Sequence, residues 1–188
     1  MKRSATRRIV VLGGAGAMGR ITLTDLVKTA GRGVEPVCAD RVLGPAKGLG
    51  VACVKVDVTS PRSLAKVLRG ASVVIASLPY RFNLEAMKGA LAAGVHYVDL
   101  GGLFHMTKRQ LRLDREFRAR GVTALLGVGS SPGITNLLAV HAARGLDRVH
   151  EVHCQVGSVD ETRFAHAPPL GFGYSADTLL DEFSMPSA

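Results

Sequence analysis

A glycine-rich stretch near the amino terminus has the residue types and spacing of a phosphate-binding turn. Gly14, Gly16 and Gly19 follow a short apolar run and open a segment of helical periodicity. Gly14 permits a tight turn, Gly16 lets the backbone approach a phosphate without a Cβ in the way, and Gly19 allows close helix packing. Amide groups at the start of that helix would face the phosphates. The stretch therefore predicts a dinucleotide-binding turn.

An acidic residue stands about twenty residues after this turn, at the end of the second predicted strand. Asp40 would accept hydrogen bonds from the adenosine ribose, and its charge would oppose a 2′-phosphate, which favours NAD. Arg41 keeps NADP open, because an arginine beside the acid can turn toward that phosphate. Asp57 and Val58, after the third strand, would border the adenine, although Asp57 is equally suited to the entry of the next helix.

The same residues could instead form an export signal, since two arginines precede the apolar run and Ala15-Gly16-Ala17 resembles a cleavage site. Glycines interrupt the apolar run, and cleavage there would delete a central strand. The nucleotide interpretation is favoured.

Short apolar runs alternate with amphipathic segments along most of the chain, an order typical of a parallel sheet covered by helices. The pattern predicts a doubly wound α/β fold of the Rossmann type. Ser60 and Asn83 are predicted helix caps, and Thr107 with Gln110 has capping-box spacing. The six predicted strands, all buried, are 9–12, 34–39, 51–56, 72–77, 95–100 and 122–126. A helical stripe of Ile134, Leu137, Leu138 and His141 follows the last of them.

The pattern changes after residue 146. Alternating apolar residues from Val149 to Val156 suggest a strand, followed by a loop at 165–173 and a short helix at 176–183. We therefore expect a dinucleotide-binding domain at 1–146 and the start of a truncated second α+β domain at 147–188.

Composition restricts the function classes. The net charge of +9 comes from scattered basic residues without a nucleic-acid module, and no apolar stretch is long enough to span a membrane. Cys38, Cys53 and Cys154 match no metal spacing and suggest buried thiols in a reducing compartment. We expect a cytoplasmic protein without a metal site, nucleic-acid partner or membrane anchor.

Ligands of doubly wound sheets bind beyond the carboxyl ends of the strands. There, Tyr80 and Asp99 are candidates for contacting a substrate, with side-chain packing and a turn or cap role as their respective alternatives. Arg81 is a candidate clamp for a carboxylate, and His105 is the histidine best placed for function.

Four segments in this order resemble the saccharopine dehydrogenase (reductase) family, which includes carboxynorspermidine dehydrogenase-like enzymes: VLGGAGAMGR, SLPYRFNLEAMKGALAAGVHYVDLGGLF, LGVGSSPGITNLLA and YSADTLLDEFSMP. The resemblance implies an NAD(P)-dependent oxidoreductase acting on the C–N bond of an amino-acid secondary amine or imine. By position, it implies pyrophosphate contacts from Gly14, Gly16, Ala17, Met18 and Gly19, ribose contacts from Asp40 and Arg41, nicotinamide contacts from Ser77, Leu78 and Pro79, and substrate contacts from Tyr80 and Asp99.

Members of that family continue into a large second domain that closes over the substrate and supports a homodimer. For the chain as given we therefore expect cofactor binding with little or no turnover, and a non-catalytic NAD(P)-binding module is the alternative. A short-chain dehydrogenase or sugar epimerase is disfavoured, because no tyrosine has a lysine four residues later.

Overall fold

The computed structural model describes residues 6–157, 159, 161, 180, 181, 183 and 184. Six parallel strands form one sheet in the order β3-β2-β1-β4-β5-β6. The strands are β1 (Arg7–Leu12), β2 (Val34–Asp40), β3 (Ala52–Lys55), β4 (Val73–Ala76), β5 (His96–Asp99) and β6 (Ala124–Leu125). The predicted Rossmann-type α/β fold is confirmed.

Helices follow the strands and cover the sheet: α1 (Ala17–Thr29), α2 (Pro61–Leu68), α3 (Asn83–Ala93), α4 (Phe104–Leu111), α5 (Asp114–Arg120) and α6 (Ile134–Ala143). Short 3-10 turns lie at Gly44–Ala46 and Tyr80–Phe82. After β1 the chain continues to β2 and β3 on one side of the sheet, and after β4 it continues to β5 and β6 on the other side. The loops that follow β1 and β4 therefore diverge and open a crevice at this edge.

The core has one layer on each face of the sheet. Alternate residues of β1 divide between the layers, with Val10 and Leu12 on one face and Val11 on the other, all fully buried. Burial on both faces explains why the sequence of β1 is continuously apolar. The first layer holds Leu64 of α2, Met87 of α3 and Phe117 of α5, and the second holds Leu23 of α1.

Several predicted helix ends are confirmed. The Ser60 hydroxyl accepts a hydrogen bond from the Ser63 amide at 3.3 Å, and Pro61 is the first residue of α2. Gly94 and Gly121 follow α3 and α5 in the left-handed conformation, each with φ of +68°. Glycine suits both positions because it has no Cβ to oppose that conformation.

Two predicted caps are wrong. α3 begins at Asn83 itself after Phe82, and the Asn83 side chain turns into the core, where its amide donates to the Gly101 carbonyl at 3.1 Å. α4 begins at Phe104, so Thr107 is an interior residue and forms no capping box. At Asn83 a tertiary contact, not the local motif, decides where the side chain points.

Predictions of burial fail toward the carboxyl end. No strand forms over residues 148–157, and the exposed fractions of Val152 and Val156 are 60% and 62%. β6 is short and Leu125 is exposed, as are Ile134, Leu137 and Leu138 of α6. The predicted loop at 165–173 lies outside the described residues, as does most of the predicted helix at 176–183, although Leu180, Asp181, Phe183 and Ser184 are helical.

Only one cysteine is buried as predicted. Cys38 is fully buried, whereas Cys53 is exposed because β3 is the edge strand, and Cys154 is exposed in the irregular segment. In the part of the chain that the structure describes, no helix has the length and apolar character to cross a membrane. The same residues contain no group of three metal-ligating side chains.

Candidate nucleotide cleft and adjoining loops

The turn between β1 and α1 depends on four glycines. Gly13, not Gly14, has the left-handed conformation, with φ of +73°, and a Cβ there would lie 2.2 Å from the Ser77 carbonyl oxygen. The sequence assigned the tight turn to Gly14, and this detail is corrected. Gly14 is required for close packing instead, because its Cβ would lie 2.9 Å from Cys38 Sγ.

The other two glycines differ in what surrounds them. A Cβ on Gly16 would meet only the Gly13 carbonyl oxygen, at 3.2 Å, so one side of this residue is open. A Cβ on Gly19 would lie 2.1 Å from the same oxygen, which confirms that α1 packs tightly on the turn. Ala17 and Met18 lie exposed in the first turn of α1, where amide groups carry the positive end of the helix dipole.

Asp40 connects the turn to the end of β2. Its Oδ2 accepts a hydrogen bond from the Ala15 amide at 3.0 Å, and its Oδ1 accepts one from the Val42 amide at 3.2 Å. The carboxylate thus holds the glycine turn in place and lies beside it. The sequence spacing predicted that Asp40 lies near the glycine turn, but it did not predict the hydrogen bond with Ala15.

A cleft of about 290 Å³ lies between the carboxyl ends of β1, β2, β3 and β4. Six predicted site residues line it together: Asp40, Arg41, Asp57, Val58, Leu78 and Pro79. Gly13, Val56, Thr59, Arg81 and Phe82 also line it, and of these Gly13, Val56 and Thr59 were not predicted. The Arg81 guanidinium lies 5.1 Å from the centre of the Phe82 ring. The structure therefore places Arg81 at this cleft, whereas the sequence suggested a substrate clamp.

Asp57 lies both at the cleft and in the loop that leads into α2. It lines the cleft, and its Oδ1 accepts hydrogen bonds from the Thr59 hydroxyl at 2.7 Å and the Thr59 amide at 2.9 Å. The hydroxyl bond, followed by the amide bond, lowers the pKa of Asp57 below its usual value. An ionised carboxylate at this position adds negative charge to the rim of the cleft.

Tyr80 lies next to the cleft in the 3-10 turn after β4. Its side chain is largely buried, and its hydroxyl donates a hydrogen bond to Asp181 Oδ2 at 2.5 Å. The bond to this carboxylate is the main cause that raises the pKa of Tyr80. The His105 ring stands edge-on to Tyr80 with 5.9 Å between ring centres. Tyr80 is consequently a protonated hydrogen-bond donor at neutral pH.

Asp99 is fully buried at the end of β5 and connects three elements. Its Oδ1 accepts hydrogen bonds from the amides of Gly101 at 2.9 Å and Gly127 at 2.8 Å, and its Oδ2 accepts one from Gln110 Nε2 at 2.7 Å. These contacts correspond to the turn role that the sequence left as the alternative to substrate contact. They hold the loops after β5 and β6 against α4.

Two further buried groups support the loop after β5. Asn83 Nδ2 donates to the Gly101 carbonyl, and the Tyr97 hydroxyl donates to the Asn83 carbonyl at 3.2 Å. Burial, and then the charge of Asp99, raise the pKa of Tyr97. Gly102 lies against Tyr80, where a Cβ would come within 2.6 Å of the tyrosine Cβ. The loops that carry Tyr80 and Asp99 are therefore packed as one unit.

Comparison with known proteins decides the family. Residues 9–125 match the model of the saccharopine dehydrogenase NADP binding domain. The chain belongs to this family. Among solved structures it is similar to apo histidine-tagged saccharopine dehydrogenase (L-Glu forming) from Saccharomyces cerevisiae, at 26% identity and a TM-score of 0.62, over 74% of this chain and 31% of that chain. This chain thus spans less than a third of that relative's length.

A second solved structure shows a likeness of fold alone. It is the Citrobacter sp. triphenylmethane reductase complexed with NADP(H), at 24% identity and a TM-score of 0.50, over 63% of this chain and 48% of that chain.

The residues of this saccharopine dehydrogenase-family domain fit an NAD(P) cofactor. Gly16 leaves space beside the start of α1 that a side chain would occupy. Ser77 Oγ is buried beneath the turn and has no hydrogen-bond partner among the described residues. The turn, the cleft and this hydroxyl lie together at the switch point of the sheet, where dinucleotides bind in this type of fold.

The residues missed by sequence reasoning left weak signals. Gly13 directly precedes the recognised glycine pattern, so the pattern admits more than one alignment. Met106 and Gln110 are four residues apart and both buried, a helical spacing that could have identified Gln110 as inward-facing. The link between Asp99 and Gly127 spans 28 residues and left no local signal.

Proposed function

We propose that this domain serves an NAD(P)-dependent oxidoreductase that acts on the C–N bond of a secondary amine derived from an amino acid, or reduces the corresponding imine. The observation that carries the proposal is the family match over residues 9–125, which includes both the cleft and the loops holding Tyr80 and Asp99. The substrate is a small amino-acid derivative. Division of the chain at residue 146 and assembly as a homodimer belong to the same proposal.

The proposed cofactor contacts follow from the cleft. The open side of Gly16 and the first amides of α1 receive the pyrophosphate, with Ala17 and Met18 at the helix start and Gly14 and Gly19 keeping the turn compact. Val58, with Asp57, borders the adenine. Ser77, Leu78 and Pro79 lie where β4 ends and position the nicotinamide end. When bound, the nicotinamide supplies hydride donation or acceptance.

We further propose NADP as the preferred form. The sequence favoured NAD on the charge of Asp40, and no observation supports that preference. Both Asp40 oxygens already accept backbone amides, at Ala15 and Val42, and the matched family is described as NADP binding. Arg41 and Arg81 line the same cleft and provide positive charge for a 2′-phosphate.

Tyr80 and Asp99 have different proposed roles. The protonated Tyr80 hydroxyl orients a polar or anionic substrate group by donating a hydrogen bond, as it donates to the Asp181 carboxylate. Asp99 has its oxygens occupied by three donors inside the fold. It acts as a positioning residue, because the loop it holds packs against Tyr80. Orientation of the reacting groups is the main requirement of hydride transfer to an imine.

The first experiment measures nucleotide binding. Isothermal titration of the chain with NADP, NADPH, NAD and NADH should show binding of all four, with the phosphorylated forms tighter. Arg41→Ala should weaken NADP binding by about tenfold, the loss of one charge-assisted contact, and leave NAD unchanged. Arg32→Ala serves as the control, since Arg32 is exposed outside the cleft. Equal or tighter binding of NAD by the unmodified chain would overturn the preference for NADP.

The second experiment measures turnover by absorbance at the nicotinamide band. In the oxidative direction, saccharopine and related secondary amines are supplied with NADP or NAD. In the reductive direction, an amino acid and an oxo acid are supplied together with NADPH or NADH. Nucleotide-dependent turnover of a secondary amine supports the proposed reaction. Turnover of an alcohol or quinone in preference to the amines would overturn it. The same assay is run on the chain joined to the C-terminal domain of a relative, and cofactor binding without turnover in that longer protein as well would favour the non-catalytic module.

A further inference from the structure

Two cysteines are direct neighbours across the strands β2 and β3. Cys38 pairs in register with Cys53 in the parallel ladder. Paired residues of neighbouring strands lie about 4.8 Å apart and project their side chains from the same face of the sheet. That separation falls within the Cα distances of disulfides, about 4.4–6.8 Å. The backbone therefore already holds the two thiols where an S–S bond can form.

The surroundings of the two thiols differ. Cys38 is fully buried under the glycine turn, next to Gly14, whereas Cys53 is exposed on the edge strand and its Sγ lies 3.6 Å from the Val51 carbonyl oxygen. Burial first, and then the charge of Cys53 and a hydrogen bond with it, raise the pKa of Cys38 to about 12. Cys38 consequently remains a protonated thiol, and Cys53 is the one that solvent-borne reagents reach.

We propose that Cys38 and Cys53 form an oxidation site that is converted to an intramolecular disulfide by peroxides. The Cys53 thiolate attacks one oxygen of the peroxide, the O–O bond breaks, and the departing hydroxide is protonated to water while Cys53 becomes a sulfenic acid. The Cys38 sulfur then attacks the Cys53 sulfur. The S–S bond forms, the S–O bond breaks, and the leaving hydroxide takes the Cys38 proton. Two thiols are oxidised and one hydrogen peroxide is reduced to two waters.

The arrangement makes the second step faster than further oxidation of Cys53. A sulfenic acid on an exposed cysteine is ordinarily open to a second peroxide. Here the resolving sulfur stands on the adjacent strand, so its attack is intramolecular and benefits from a high effective concentration. Cys154 is also exposed, in the segment 148–157, and lacks such a strand neighbour among the described residues. It provides a matched control within the same chain.

The test is peroxide treatment of the chain followed by blocking of remaining thiols with N-ethylmaleimide, trypsin digestion and mass spectrometry. The expected product is a disulfide joining the peptides Gly33–Arg41 and Gly48–Lys55. It should disappear with dithiothreitol, be absent from Cys53→Ser and persist in Cys154→Ser. Circular dichroism of both variants confirms that they are folded. Oxidation of Cys53 that stops at sulfinic acid, or a disulfide that joins Cys154 instead, would overturn the proposal.

Discussion

The Asp40 carboxylate accepts a hydrogen bond from the Ala15 amide across 25 residues of sequence, at 3.0 Å. This contact connects the glycine turn to the end of the neighbouring strand. The residue that spacing predicted for ribose binding thus also shapes the phosphate-binding turn. Replacement of Asp40 should therefore weaken nucleotide binding, because the turn loses this support.

Asp40→Asn keeps the size of the side chain and removes its charge. Since one of its two terminal atoms becomes a donor, it cannot accept from both Ala15 and Val42. We expect NADP and NAD binding to weaken by about tenfold, the cost of losing one hydrogen bond to a charged group. Isothermal titration measures the change. Asp25→Asn, on the exposed side of α1, is the control, and unaltered affinity in the Asp40 variant would contradict the role of this contact.

The glycines of the turn should separate into two classes. Gly16→Val should abolish nucleotide binding while circular dichroism shows the fold intact, because its Cβ meets a single atom at 3.2 Å. Gly19→Ala should lower the melting temperature, because its Cβ would lie 2.1 Å from the Gly13 oxygen. Titration and thermal unfolding of both variants test this. Strong nucleotide binding by the folded valine variant would place the pyrophosphate elsewhere.

Asp99→Asn should destabilise the fold. The variant loses the charge that the Gly101 amide, the Gly127 amide and Gln110 Nε2 share, and its NH2 group can be accepted only if the Gln110 amide reverses, so the buried network is weakened. We expect the free energy of unfolding to fall by about 1–3 kcal/mol in urea titrations. Asp114→Asn removes the exposed pair with Arg118 and should leave the free energy of unfolding nearly unchanged, because solvent screens this pair. Comparable stability of the two variants would argue against the buried network.

Tyr80 should ionise above the usual tyrosine range, because its hydroxyl donates to Asp181. A raised pKa in the folded state means that the folded chain holds this proton more tightly than the unfolded chain. The contact therefore stabilises the fold below about pH 10 and ceases to do so as pH rises through the folded-state pKa. Ultraviolet difference titration of the chain against Tyr80→Phe isolates this ionisation. Asp181→Asn should lower the pKa, and an unchanged value would show that the contact does not form in solution.

Sequence alone determined the features that depend on neighbours within one βα unit. The glycine turn, the cap at Ser60 and the stop at Gly94 are encoded by a few consecutive residues, since backbone conformation and first-turn hydrogen bonds are local. The alternation of apolar and amphipathic segments was sufficient to predict the Rossmann-type fold. The specific motifs indicated the family, which the match over residues 9–125 confirmed.

Tertiary structure decided the features whose partners come from separate strand ends. Asn83 turns inward because the Gly101 carbonyl is there, and Asp99 is engaged by Gly127 and Gln110, contacts that no local spacing encodes. Cys53 is exposed only because β3 ends the sheet, and strand order is set by the packing of the whole chain. Most buried polar groups pair with a hydrogen-bond partner wherever the fold supplies one. The direction in which such side chains point therefore depends on how the strands are assembled in the sheet.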